Sequence, residues 1–204
     1  MSIYIRPRFR FYPGELREIG IALLVLTISF FILISPLPFR LPSPMVALYY
    51  ILISLTAVLT AFFVHEMSHK FIAIKFGYPA AFRKWNLGLI IALLSSFFGI
   101  IFAAPGAVYI YGYPSRRENG IISSAGPASN IIIGFIFLFL SFVTKNFIAL
   151  LFFRYIAQLN FFLSFFNLLP IPPMDGLKVL TWRIEIYISL MILSIAGLAI
   201  GYMI

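Results

Sequence analysis

Met45 to Val64 reads MVALYYILISLTAVLTAFFV and runs without a break into His65-Glu66-Met67-Ser68-His69. The first part carries no charge and, at about 20 residues, is long enough to cross the hydrocarbon of a bilayer. The second part puts three ionisable side chains directly at its end. Ionisable groups beside such a run are costly in lipid, so the pair predicts a membrane span that delivers chemistry to one face of the bilayer.

The rest of the chain agrees with a membrane setting. Of 204 residues, 62% are hydrophobic and only 10% charged, with a mean hydropathy of +1.05; soluble chains run at roughly 45–50% apolar and about 25% charged. Further apolar runs extend from Ile19 to Ser35, Gly120 to Val143, Phe147 to Leu169 and Ile184 to Ile204. The expectation is an all-α polytopic membrane protein, one domain over residues 1–204 with about five transmembrane helices.

A sixth run, Leu87 to Tyr113, is interrupted by Gly99, Pro105 and Gly106 and closes in Val108-Tyr109-Ile110-Tyr111, a β-branched and aromatic stretch that favours strand. Positively charged residues concentrate on the cytoplasmic side of membrane proteins, and this decides whether the run crosses. If it does, nine basic residues lie inside and five outside; if it dips in and returns, twelve lie inside, against Arg40 and Lys145 outside. The second arrangement predicts a re-entrant loop or short β element between the second and third spans. It puts the N-terminus and the two histidines toward the cytoplasmic side, in the cell membrane. Arg154, within a span, is expected to snorkel toward the outer face, and Pro36 to Pro44 to form a short external loop.

The net charge of +9 comes from basic residues scattered between apolar runs, which argues for topology signals and against a nucleic-acid partner. Arg6, Arg8, Arg10 and Arg17 precede an apolar run with no small-residue cleavage site, so that run is read as a retained anchor. Cysteine is absent. Any metal must therefore be held by nitrogen and oxygen.

The chain has only two histidines, and they stand four apart on a predicted helix, where i and i+4 share a face and can hold one metal with Glu66 beside them. A catalytic zinc takes three protein ligands and leaves a position for water. The single aspartate, Asp175, follows Pro170-Ile171-Pro172-Pro173-Met174 and precedes Gly176. By itself it is either a ligand or the cap of a turn or helix. The dipping arrangement brings it to the same membrane face as His65 and His69; six spans would put it across the bilayer.

These elements resemble the site-2 proteases, zinc-dependent intramembrane metalloproteases. The likeness covers about Ala57 to Lys178 and rests on His65-Glu66-x-x-His69, on Gly126-Pro127-Ala128-Ser129-Asn130, and on an Asn-x-x-Pro-x-Pro-x-x-Asp-Gly element from Asn167 to Gly176. It implies Zn2+ bound by His65, His69 and Asp175, with Glu66 as catalytic base and a transmembrane protein in the lipid bilayer as substrate. Ser68 stands where many members have Gly. Asn167, which shares a helix face with Asn160 and Ser164, either binds the substrate carbonyl or oxyanion or satisfies backbone groups freed by Pro170. Asn130 either lines the site or packs a helix.

Two rival functions use the same residues. A prenyl-processing type of membrane metalloprotease would take Glu118 or Glu185 as third ligand, and a non-catalytic binding or chaperone homologue would keep the fold without turnover. Gly197-Leu198-Ala199-Ile200-Gly201 either forms a homodimer or packs against its own bundle.

Overall fold

A computed structural model describes residues 8–35, 42–101 and 105–203. Arg6, Arg40 and all but the end of the Pro36 to Pro44 loop lie outside the described residues. The chain begins with α1 (Glu15–Ile34) and continues through α2 (Pro44–Ala57), a π-helical stretch (Val58–Phe63) and α3 (Val64–Lys75) as one unbroken rod. After it come β1 (Ala80–Lys84), α4 (Asn86–Ser96) and β2 (Gly106–Ile110), then α5 (Arg116–Val143), α6 (Phe147–Asn167), the short α7 (Asp175–Trp182) and α8 (Ile184–Met203).

Five of these are long and apolar enough to cross a membrane: α1, the rod from Pro44 to Lys75, α5, α6 and α8. The protein is an all-α polytopic integral membrane protein with one small ribbon. Large apolar side chains such as Leu24, Ile132, Phe139 and Ile192 are exposed on the helices, as lipid-facing residues must be. The inward faces carry small and polar groups instead, including Ser54, Asn130, Asn160, Ser164 and Ser194, all fully buried. Close packing and hydrogen bonds between helices, rather than an apolar core alone, hold such bundles together.

Phe161 shows this packing. A Cβ on Gly134 would stand 2.7 Å from its ring and one on Gly197 2.3 Å, so α5 and α8 both need glycine where they meet α6. Gln158 Nε2 donates to Gly201 O at 2.9 Å. The Gly-x-x-x-Gly pattern of α8 is thus engaged within its own bundle. Ser164 Oγ reaches Pro127 O at 3.0 Å and Ser194 Oγ at 2.8 Å, tying the same three helices one level further along. Arg154 lies on α6 partly buried, and its Nε has no hydrogen-bond partner among the described residues.

β1 and β2 pair antiparallel, from Ala80 opposite Ile110 to Lys84 opposite Gly106. The pairing brings both ends of the 86–105 segment together, which is the return that the charge count predicts for the Leu87 to Tyr113 run. Tyr111 N bonds Pro79 O at 2.8 Å and Trp85 N bonds Pro105 O at 3.0 Å. Alternation then leaves the N–H groups of Phe82 and Lys84 facing out of one edge, and those of Gly106, Val108 and Ile110 out of the other. Three acidic side chains occupy these edges: Glu15 accepts from Phe82 N at 2.9 Å, Glu18 from Lys84 N at 3.0 Å, and Glu66 from Val108 N at 2.8 Å.

Candidate metal centre

His65 and His69 sit on one face of α3, with ring centroids 4.7 Å apart. The stretch before them is π-helical, and a π turn shifts the backbone ladder so that α-type bonds are lost. Such a loss is tolerated at membrane depth only where another group takes over. Asn130 Nδ2 donates to Ala61 O at 3.2 Å, and Asn160 Nδ2 donates to Thr60 Oγ1 at 3.1 Å. The two asparagines, from α5 and α6, thereby fix the segment that leads into His65.

Asp175 arrives from the other end of the molecule. α6 stops ahead of Pro170, and the chain reverses through Ile171 N to Leu169 O and Met174 N to Ile171 O, at 2.8 and 2.9 Å. Gly176 makes the reversal tight enough, since a Cβ there would lie 2.0 Å from Leu168 O. Asp175 opens α7, but its carboxylate makes no cap; the N-cap position is Met174. The side chain points at the histidines instead.

The three donors converge. His65 Nε2 and His69 Nε2 are 3.0 Å apart, and Asp175 Oδ2 lies 3.4 Å from the first and 3.1 Å from the second. A tetrahedral ion with bonds of about 2.0–2.1 Å holds its ligands about 3.3 Å apart, so the triangle has the size the ion requires. His69 Nδ1 stands 2.8 Å from Ile122 O. Carbonyl oxygen only accepts, so Nδ1 carries the proton and Nε2 presents its lone pair to the shared point. His65 Nδ1 is buried and has no hydrogen-bond partner among the described residues. Burial raises the Asp175 carboxyl, but while the imidazoles carry protons on Nε2, attraction to His69 and hydrogen bonds from both rings outweigh it and hold the group well below the ordinary carboxylate range; a metal would take the place of those protons. An anionic oxygen and two imidazole nitrogens make a donor set suited to zinc.

Gly126 gives these side chains their room. A Cβ at this position would stand 2.4 Å from His69 Nε2 and 2.5 Å from His65 Nε2. Ser68 Oγ donates back to Val64 O at 2.8 Å, so this hydroxyl bonds within its own helix. Neither glutamate proposed as an alternative ligand joins the cluster: Glu118 accepts from Tyr78 Oη at 3.0 Å and caps α5, while Glu185 faces Arg183 at 3.5 Å on the surface. Asn167 Nδ2 donates to Leu163 O at 3.0 Å.

In the charge pattern Lys70 is one of the basic residues on the inner side. It is fully buried and pairs with Glu15 at 2.5 Å. No motif marks this pair, because its members lie 55 residues apart.

Fold and donors together define a polytopic membrane protein in which His65, His69 and Asp175 could hold a metal ion where the second span meets a short helix after the fourth. The chain is 38% identical over 199 residues to "Putative zinc metalloprotease MJ0611" of Methanocaldococcus jannaschii, covering 96% of this chain and 95% of that one. It is 31% identical over 156 residues to "Putative zinc metalloprotease YwhC" of Bacillus subtilis, covering 67% of this chain and 70% of that protein. The chain belongs to the family of these two proteins. No family model and no solved structure matches it.

Proposed function

We propose that the protein is an intramembrane zinc metalloprotease of the site-2 protease type, which hydrolyses peptide bonds of transmembrane or membrane-adjacent segments at the cytoplasmic side of the cell membrane. One observation carries the reading: His65 Nε2, His69 Nε2 and Asp175 Oδ2 converge within 3.4 Å of one another, and Glu66 stands on the same turn of α3. The names of both relatives support zinc and proteolysis.

His65, His69 and Asp175 would hold the zinc, which supplies Lewis acidity and an acidified water when bound. Glu66 is left out of the donor triangle and serves as base: it accepts the proton of the attacking water and returns it to the leaving amine. Its carboxylate is oriented for this by the Val108 N–H. Asn167 binds the substrate carbonyl or its oxyanion in exchange for the bond to Leu163 O, and Asn130 supports the site by holding the π-helical stretch.

A transmembrane substrate hides its peptide bonds in its own helix and must be extended before it is cut. The outer edge of β2 offers the N–H and C=O groups of Gly106 and Ile110, on either side of the Val108 N–H that Glu66 occupies, to such a strand. The substrate would lie against the strand that already holds Glu66.

The test is cleavage of a single-span protein by the purified enzyme in liposomes. Zinc-dependent cleavage inside or next to the span, abolished by chelation, supports the proposal. Cleavage confined to soluble peptides would remove the intramembrane part, and binding of the substrate without any cleavage would favour the chaperone alternative.

A further inference from the structure

Glu66 is held by two separate parts of the molecule. Its backbone belongs to α3, and the N–H that fixes its carboxylate belongs to β2. The distance between α3 and the ribbon therefore sets where the carboxylate lies relative to the two histidines. The same two parts are joined a second time by Glu15.

Glu15 and Lys70 are both completely buried. Glu15 Oε1 accepts from Lys70 Nζ at 2.5 Å and from Phe82 N at 2.9 Å, while Oε2 accepts from Tyr12 N at 2.9 Å. Lys70 follows His69 directly on α3. Phe82 lies opposite Val108 in the ribbon, so Glu15 and Glu66 grip the two outer edges of one rung. The contacts close a ring: Glu15, Lys70, α3, Glu66, Val108, Phe82 and Glu15 again. The rings of Phe9, Phe11 and Tyr12 lie 5.3, 4.6 and 5.7 Å from Lys70 Nζ, so the segment before α1 covers the pair.

We propose that Glu15, through Lys70 and Phe82, is a positioning residue that sets the spacing between α3 and the β ribbon and so places the Glu66 carboxylate. A buried ion pair is an inefficient way to gain stability, because desolvation offsets much of the attraction and apolar substitutes often do as well. What the pair adds here is direction and length. One carboxylate oxygen takes an α3 side chain and a β1 backbone group together, which an apolar contact cannot do. The kinetic part of this inference rests on the protease reading above; the structural part does not.

The experiment compares Glu15→Gln, Lys70→Met and the double variant with the full-length protein in liposomes. It measures kcat, KM, bound zinc and the thermal midpoint, together with amide exchange of the peptides over 80–84, 105–110, α5 and α6. Glu185→Gln, at the exposed pair with Arg183, serves as control. Each single variant is expected to lower kcat by roughly 10- to 100-fold, the scale of a small misplacement at a reacting centre, with KM and zinc content unchanged. Exchange over 105–110 should quicken while that of α5 and α6 stays as in wild type. The double variant removes the unpaired buried charge that each single variant leaves. It should recover thermal stability but not kcat, because the tie between α3 and the ribbon is still missing.

Recovery of kcat together with stability in the double variant would reduce Glu15 to a structural ion pair. Unchanged exchange over 105–110 in all three variants would overturn the link to β2, whether or not the wild type cleaves. If the wild type cleaves nothing while exchange over 105–110 responds as expected, the protease reading fails and the positioning of Glu66 by Glu15 stands.

Discussion

Gly126 and His69 are in direct contact: the Cα of the glycine stands where any side chain would meet the imidazole, with a Cβ only 2.4 Å from Nε2. α5 approaches α3 closely at this point because residue 126 has no side chain, and the Nε2 edges of both histidines fill the space. Gly126→Ala should therefore displace both rings and lower metal affinity by about 10- to 100-fold, the scale seen when groups that orient ligands are disturbed. Isothermal titration of the metal-free protein with zinc measures it. Wild-type affinity in the alanine variant would mean that the rings do not bind through Nε2.

The ribbon predicts that β1 and the residues after β2 share a side of the membrane. Cysteines introduced as Arg83→Cys and Arg117→Cys should both react with an impermeant thiol reagent applied from the cytoplasmic side, and neither from outside. The chain has no native cysteine, so each label reports one position. Reaction from opposite sides would break the shared topology of His65 and Asp175.

Asn130 carries a prediction about the rod rather than the metal. With Asn130→Leu, Ala61 O loses the Asn130 Nδ2 donor, which costs about 0.5–1.5 kcal/mol for one hydrogen bond. The thermal midpoint should fall, and zinc affinity should weaken as His65 loses its fixed approach. A variant as stable as wild type would show that the π-helical stretch satisfies itself.

Much of this arrangement can be read from residue types. The apolar runs give five spans, and those starting at Phe147 and Ile184 do so where the helices do, because a charged or polar cluster precedes each. α1 begins at Glu15, four residues ahead of the run at Ile19, since Glu15 and Glu18 are helical yet spend their charges on the ribbon. The second span extends past Val64 to Lys75, because the polar motif is itself helical. Val108 to Tyr111 announces a strand by its β-branched and aromatic residues, whereas its partner, Ala-Ala-Phe-Arg-Lys at 80–84, has no alternating pattern and exists because β2 and the Glu15 and Glu18 carboxylates satisfy its backbone. That His65, His69 and Asp175 would meet was legible from spacing and topology. The π-helical stretch and the Glu15–Lys70 pair were not, since both depend on contacts between residues far apart in the chain.

Zinc should also stabilise the junction it occupies. α7 is short and is fastened at its start by Asp175, so removal of the ion should lower the thermal midpoint and speed amide exchange over 168–182 more than elsewhere, because a ligand bound only to the folded state shifts stability toward it. Titration with a chelator, read by exchange mass spectrometry, checks this. A uniform response along the chain would argue that the ion is bound elsewhere.

The most direct measurement of the central claim is zinc content and cleavage together for wild type, Glu66→Gln and His65→Ala in the same liposomes. Glu66 lies outside the donor triangle, so Glu66→Gln should keep zinc near the wild-type level while cleavage falls by about 10²-fold or more, the contribution of a positioned base. His65→Ala should lose zinc and cleavage together. Full cleavage by Glu66→Gln, or retention of zinc and activity by His65→Ala, would contradict the account.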